Sequence, residues 1–164
     1  MHQGGPEQRP YSHWDRARLS VVVPIGAIVA GPRAANVLQP GNHGTTFGGN
    51  PLAMRAGVET LRIMQEDDLL QNAAQVGAHL KNALTRELGG RSGVADIRGQ
   101  GLMIGVELAR PCGVLVQRAA EAGLLLSVTA DSVIRLVPPL VLSQAEADEI
   151  VARLVPLVTA FFAE

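Results

Sequence analysis

The hydrophobic pattern changes character twice along the chain. Residues 1–20 (MHQGGPEQRPYSHWDRARLS) are polar and irregular and read as a poorly ordered lead-in. Residues 21–30 are apolar and strand-like, and 31–49 read as loop. After Asn50-Pro51 the period becomes helical, with Leu52, Ala56, Leu61 and Met64 recurring to about residue 65. Asn50 can cap the free N–H groups there, and Pro51 suits the first helical position because it has no N–H to leave unpaired. A second helix opens at Asp67 or Asp68 and runs to about residue 88. Its apolar stripe is Leu69, Leu70, Ala73, Val76, Leu80, Leu84 and Leu88, and Gly89-Gly90 ends it.

Shorter periods follow. The pattern predicts strands over 94–98 and 102–108, a helix over 113–122 stopped by Gly123, and strands over 124–128 and 133–137. A last helix starts at Ser143, where Ser143 and Glu146 have the spacing of a capping box. Pro156 should kink or locally break it. The order β-β-α-β-β-α implies a small α+β domain, a mostly antiparallel sheet with helices on one face.

Composition narrows the function classes. A chain of 164 residues, 47% hydrophobic, can bury a core in one domain or in one domain plus a piece of another. The formal charge of −1 and the scatter of basic residues give no electrostatic case for nucleic acid or an anionic membrane. A single cysteine, Cys112, cannot form an internal disulfide and favours a reducing compartment. The apolar run 19–31 (LSVVVPIGAIVAG) imitates a secretory signal, with Arg16 and Arg18 before it. Pro24, Gly26 and Gly31 interrupt it and it is too short to span a bilayer, so a buried strand and a cytoplasmic protein are the expectation. His2, His13, His43 and His79 lie too far apart in sequence to read as a metal site. Lys81 is the one lysine against thirteen arginines.

Three constellations could carry chemistry. In residues 43–51, HGTTFGGNP, small and hydroxylated residues lead into a helix N-terminus. Loop amides, the Thr45 and Thr46 hydroxyls and the helix dipole could face one anion, and glycines let a phosphate approach the backbone. An ordinary glycine-rich loop with an asparagine cap fits the same physics. In residues 133–140, VIRLVPPL, Arg135 is embedded in an apolar strand, which is costly unless its charge is paired. Alternation puts Val133, Arg135 and Val137 on one sheet face, where Arg135 could grip a carboxylate with two parallel hydrogen bonds. It could equally be an edge-strand arginine reaching solvent, or part of a structural ion pair. In residues 98–105, RGQGLMIG, the glycines imitate a dinucleotide fingerprint, but a strand follows where that fingerprint needs a helix. A tight turn between strands explains them better. Of the weaker candidates, Cys112 has no base near it in sequence and reads as a small buried hydrophobe. Glu66, Asp67 and Asp68 read as charges at a helix start, and His43 as a loop-fixing donor.

Taken together, PIGAIVAG, HGTTFGGNPLA, VADIRGQGLMIGVEL and VIRLVPPLVLS resemble the class III aminotransferases, the acetylornithine and ornithine aminotransferase group, in order and spacing from about Pro24 onward. The resemblance implies the type I pyridoxal-phosphate (PLP) fold: an α/β large domain, a small C-terminal α+β domain, and a dimer with shared active sites. Residues 21–65 would be a remnant of the cofactor-binding large domain with its interdomain helix, 66–164 the small domain, and 1–20 not family sequence. Thr46 resembles the threonine that reaches the cofactor phosphate of the neighbouring subunit, with Thr45 beside it. Arg135 resembles the arginine that binds the substrate α-carboxylate. The implied reaction is amino transfer from N-acetylornithine or a related ω-amine to 2-oxoglutarate, in arginine biosynthesis.

One departure is as informative as the match. The family's Schiff-base lysine should stand at position 17, where this chain has Ala17, and the three glycines that follow in the family are replaced by Ser20-Val21-Val22. The family's aspartate for the pyridine nitrogen would lie before residue 1. The helix pattern places Lys81 on or next to a solvated face. A truncated or damaged aminotransferase, inactive alone, is therefore the expectation. The alternative is a non-catalytic dimerisation module, or one half of a split enzyme that pairs with a separate N-terminal half.

Overall fold

A computed structural model describes residues 17–18, 25–27, 31–32, 34–37, 39–42 and 44–163. The chain divides into two compact units, Met1–Glu66 and Asp67–Glu164.

In the first unit, β1 (Ala17–Arg18) pairs antiparallel with β2 (Gly26–Ala27), Ala17 opposite Ala27. The lead-in expected to be irregular thus contributes two residues to a strand pair. The rest of it, most of the apolar run and His43 lie outside the described residues. Helix α1 (Pro51–Glu66) starts where Asn50-Pro51 predicts. Asn50 Oδ1 accepts from the Leu52 N–H at 2.9 Å and the Ala53 N–H at 3.3 Å, so the cap is formed. The buried face differs from the expected one. Ala53 and Gly57 are buried, whereas Leu52 is 70% exposed and Leu61 is also exposed.

The second unit carries the core. Helix α2 (Leu69–Leu88) buries Leu69, Val76, Leu80, Leu84 and Leu88, while Leu70 of the expected stripe points out and is exposed. Asp68 precedes it in a left-handed conformation, φ 49°, and its side chain caps nothing, so Asp67 and Asp68 form a turn after Glu66 ends α1. Strands β3 (Val94–Gln100) and β4 (Met103–Leu108) form the predicted hairpin. Helix α3 (Val114–Glu121) leads to β5 (Ser127–Thr129), which starts later than the apolar pattern suggested, and then to β6 (Val133–Leu136). The sheet is fully antiparallel in the order β3-β4-β6-β5.

Alternation along the inner strands decides which sheet face is covered. Ile104, Val106, Leu108, Ile134 and Leu136 are buried in one cluster with the apolar stripes of α2, α3 and α4 (Gln144–Ala163). The opposite face, with Met103, Arg98 and Arg135, is open. Cys112 is fully buried in the same cluster, and burial pushes its thiol pKa up, which suits packing rather than nucleophilic chemistry.

Helix α4 opens with the predicted capping box. The Glu146 N–H donates to Ser143 Oγ at 3.2 Å, and the Ser143 N–H donates to Glu146 Oε2 at 2.8 Å. Those Ser143 contacts hold the Glu146 carboxyl below its ordinary pKa. Contrary to expectation, α4 runs unbroken through Pro156. Pro156 and Ala152, whose carbonyl loses its partner, are both exposed, so water can satisfy that oxygen. Val151, Leu154, Val158 and Phe161 meanwhile fasten the helix to the core on both sides of it.

The turn between β5 and β6 is strained. Ala130 (φ 47°) and Asp131 (φ 59°) are both left-handed, a conformation that costs a β-carbon residue about 1–2 kcal/mol. It is held because the Ser132 N–H bonds to Ala130 O at 2.7 Å and the Cys112 N–H to Asp131 O at 2.8 Å. Ala130→Gly should therefore stabilise the protein by about 1 kcal/mol. Thermal melting should show a rise of about 5 °C, and a fall would mean that the turn is not in this conformation.

Candidate active site

The residues singled out by sequence fall into the two units. Thr45 and Thr46 precede α1 in the first, and Arg135 lies on β6 in the second.

Residues 44–50 are all exposed. Gly49 is left-handed, φ 74°, so the loop's path favours glycine there. Because Asn50 already takes the Leu52 and Ala53 amides, the first turn of α1 has less to offer an anion than its N-terminus suggested. What remains is the loop backbone and two hydroxyls. Among the described residues neither Thr45 nor Thr46 spends its hydroxyl on a protein partner.

Arg135 sits on an interior strand, between Gly105 of β4 and Ser127 of β5. The edge-strand alternative is therefore excluded. Its backbone row across the open face runs Arg98, Gly105, Arg135, Ser127. The two arginines of that row differ in charge balance. Arg98 Nη1 is 2.9 Å from Asp96 Oδ2 and also bonds Glu107, and these two hydrogen-bonded carboxylates raise the Arg98 pKa. Arg135 has no carboxylate within ion-pair distance among the described residues. Its Nε donates to Ser127 Oγ at 3.2 Å, which fixes the base of the guanidinium and leaves both terminal nitrogens for a ligand. Sequence reasoning missed Ser127. Counting back across the 130–132 turn from Arg135 would have found it, since the two are direct cross-strand partners.

Arg135 and Ser127 form the polar end of an open groove of about 430 Å³. Its other walls are apolar: Leu124–Leu126 before β5, Val137, Pro138 and Pro139 after β6, Leu142, and Ile150 of α4. A free guanidinium at the end of an apolar trough suits a carboxylate attached to a short carbon chain.

This sequence and this sheet have known counterparts. A family profile described as aminotransferase class III matches residues 19–158. Acetylornithine aminotransferase 1 of Bordetella pertussis is 56% identical over 142 residues, 87% of this chain and 36% of that protein. The chain belongs to the class III aminotransferases. Acetylornithine aminotransferase of Nitrosomonas europaea is 46% identical over 85% of the chain and 35% of its own length. Among solved structures, ornithine aminotransferase of Toxoplasma gondii superposes with a TM-score of 0.76 at 37% identity, covering 87% of this chain and 35% of that one. Acetylornithine aminotransferase of Elizabethkingia anophelis gives 0.74 at 27% identity over 85% of this chain and 36% of that one. The chain thus spans about a third of the length of the curated relatives it matches, and its fold is the corresponding part of the aminotransferase α/β fold.

The family implies PLP as cofactor. The residues present fit one end of that molecule. Two free hydroxyls beside a glycine-shaped loop suit its phosphate. Its aldehyde needs an amine, and position 17, in β1, is alanine. Lys81 belongs to α2 of the second unit, where its Nζ lies 3.5 Å from Gly99 O. Position 17 lies just before the residues that the family profile matches, 19–158.

Proposed function

We propose that this chain provides two binding functions of a PLP-dependent transaminase that acts on N-acetylornithine or a related ω-amine, with 2-oxoglutarate as acceptor. Thr46, with Thr45 beside it, holds the cofactor phosphate, and Arg135 anchors the substrate carboxylate. Residues 21–65 are the end of the large domain with its interdomain helix, and 66–164 are the small domain. PLP supplies an electron sink when bound. This chain's residues bind and orient, and with Ala17 at the lysine position the chain alone turns over nothing. The amine that reacts comes from a different polypeptide, as in one half of a split enzyme. A cytoplasmic setting suits these metabolites and the single buried thiol.

The observation that carries this reading is the unpaired guanidinium of Arg135, fixed from below by Ser127 at the end of an apolar groove. In an NMR titration of the 164-residue chain with 2-oxoglutarate, amides around Ser127 and Arg135 should shift. Arg135→Gln should weaken binding about tenfold, the scale of a charge-assisted pair. Equal affinity in the variant would remove the carboxylate anchor from the proposal.

A non-catalytic interaction module is the second reading, favoured by exposed apolar side chains before and along α1. Phe47 is 85% exposed, and Leu52, Val58 and Leu61 are exposed with it. Self-association that persists while 2-oxoglutarate leaves the Arg135 amides unmoved would favour the module.

A further inference from the structure

The apolar wall of the Arg135 groove is a strap, residues 137–142, that leaves β6 and enters α4. Two consecutive prolines stiffen it but cannot donate hydrogen bonds along it. One contact closes it on itself, the Leu142 N–H to Pro139 O at 3.0 Å. The other tie comes from α2. Asn72, in the first turn of α2, uses one side-chain nitrogen to donate to two strap carbonyls, Leu140 O at 2.7 Å and Leu142 O at 3.0 Å. Those partners are 68 and 70 residues away in sequence. Leu142 is buried in the main cluster, whereas Leu140 and Val141 are exposed, so hydrophobic packing pins only one end of the strap. Asn72 extends that anchorage from Leu142 back to the exposed Leu140.

We propose that Asn72 is a positioning residue of the Arg135 groove, fixing the strap so that Pro138 and Pro139 stand as the apolar wall facing a carboxylate ligand's carbon chain. The inference rests on the reading of Arg135 as a carboxylate anchor. It adds a division of labour: Arg135 reads the charged end, and Asn72, through the strap, sets affinity for the carbon chain. Asn72 touches neither the ligand nor Arg135, so its removal should cost nothing to a ligand that has no chain to lay against the wall.

The test compares acetate with hexanoate, titrated into the 164-residue chain and followed by amide shifts. Asn72→Asp keeps the size of the side chain and loses both donated bonds. A carboxylate in the first turn of α2 also favours the helix, so folding is protected. Thr159→Val is the control, since it removes the 2.9 Å bond from Arg91 Nη1 on a face that does not line the groove. The expected result is that Asn72→Asp weakens hexanoate at least fivefold and leaves acetate unchanged, while Thr159→Val changes neither. Hexanoate binding that is lost in Arg135→Gln but intact in Asn72→Asp would overturn the role of Asn72 and leave the anchor standing. Failure of the unsubstituted chain to bind hexanoate, or binding indifferent to Arg135→Gln, would overturn both.

Discussion

Gly77→Ala should unfold this protein at a markedly lower temperature, although helix propensity alone says the reverse. Gly77 lies in the middle of α2, where alanine is normally preferred by about 1 kcal/mol. Its hydrogen, however, faces the turn of the β3–β4 hairpin at very close range. A β-carbon there would stand 2.1 Å from the Gly101 carbonyl oxygen and 2.3 Å from its carbon. Both are backbone atoms, and Gly101 is itself held left-handed at φ 54°, so no side-chain rotation relieves the overlap. Either α2 lifts from the sheet or the hairpin turn shifts, and both loosen the contacts around Leu80 and Ile104, which are almost fully buried. Overpacking of this kind costs about 3 kcal/mol, which outweighs the propensity gain and amounts to a drop of roughly 10–20 °C in Tm for a unit of this size. Ala78→Gly, one residue on and exposed, provides the contrast. There propensity acts alone, and the loss should be about 1 kcal/mol. A higher Tm for Gly77→Ala would show that α2 does not approach the hairpin as described.

That contact also illustrates what the sequence could and could not reveal. The glycines of 98–105 were readable as a turn between strands, because a strand follows them where a nucleotide fingerprint needs a helix. The partner of that turn was not readable, since it lies across the core on α2. The same division holds elsewhere. Asn50-Pro51 and Ser143 with Glu146 announce helix starts because their hydrogen bonds close within three residues. Leu70 and Leu52 looked like core residues because both fit a helical period, yet both are exposed. Which face of a helix is buried depends on what packs there, and local spacing cannot specify that. Pro156 misled for the opposite reason: a local rule was overridden by packing on both sides of it. In the site, Arg135 was conspicuous as a charge in an apolar strand. Its lack of a carboxylate among the described residues, its interior place in the sheet and its partner Ser127 depend on strand order and register, and the Asn72 tie to the neighbouring strap spans some seventy residues of sequence.

Mixed with an equimolar amount of PLP and treated with borohydride, the chain should carry no stoichiometric covalent cofactor adduct. Covalent capture needs an amine and a phosphate anchor that act on one molecule. The proposed anchor is the loop at 44–49, with the Thr45 and Thr46 hydroxyls unspent among the described residues, and position 17, proposed above as the amine position, is alanine. Lys81, the one lysine, lies on α2 in the other unit. The nearest hydroxyl along its helix, that of Thr85, donates to the Lys81 carbonyl at 2.8 Å and is not free for a phosphate. Encounter without an anchor leaves the reaction slow and substoichiometric, because effective concentration is the advantage a bound phosphate confers. Non-covalent binding is expected in its place, displaced by inorganic phosphate and weakened several-fold in Thr46→Val, the loss of one hydrogen bond to a charged group. Mass spectrometry after reduction reads the first outcome, and cofactor fluorescence under phosphate competition reads the second. A stoichiometric adduct mapped to Lys81 would move the cofactor site onto α2 and end the assignment of Thr45 and Thr46. Phosphate-sensitive binding without a stoichiometric adduct would instead support a phosphate grip by Thr45 and Thr46 that uses no lysine of this chain.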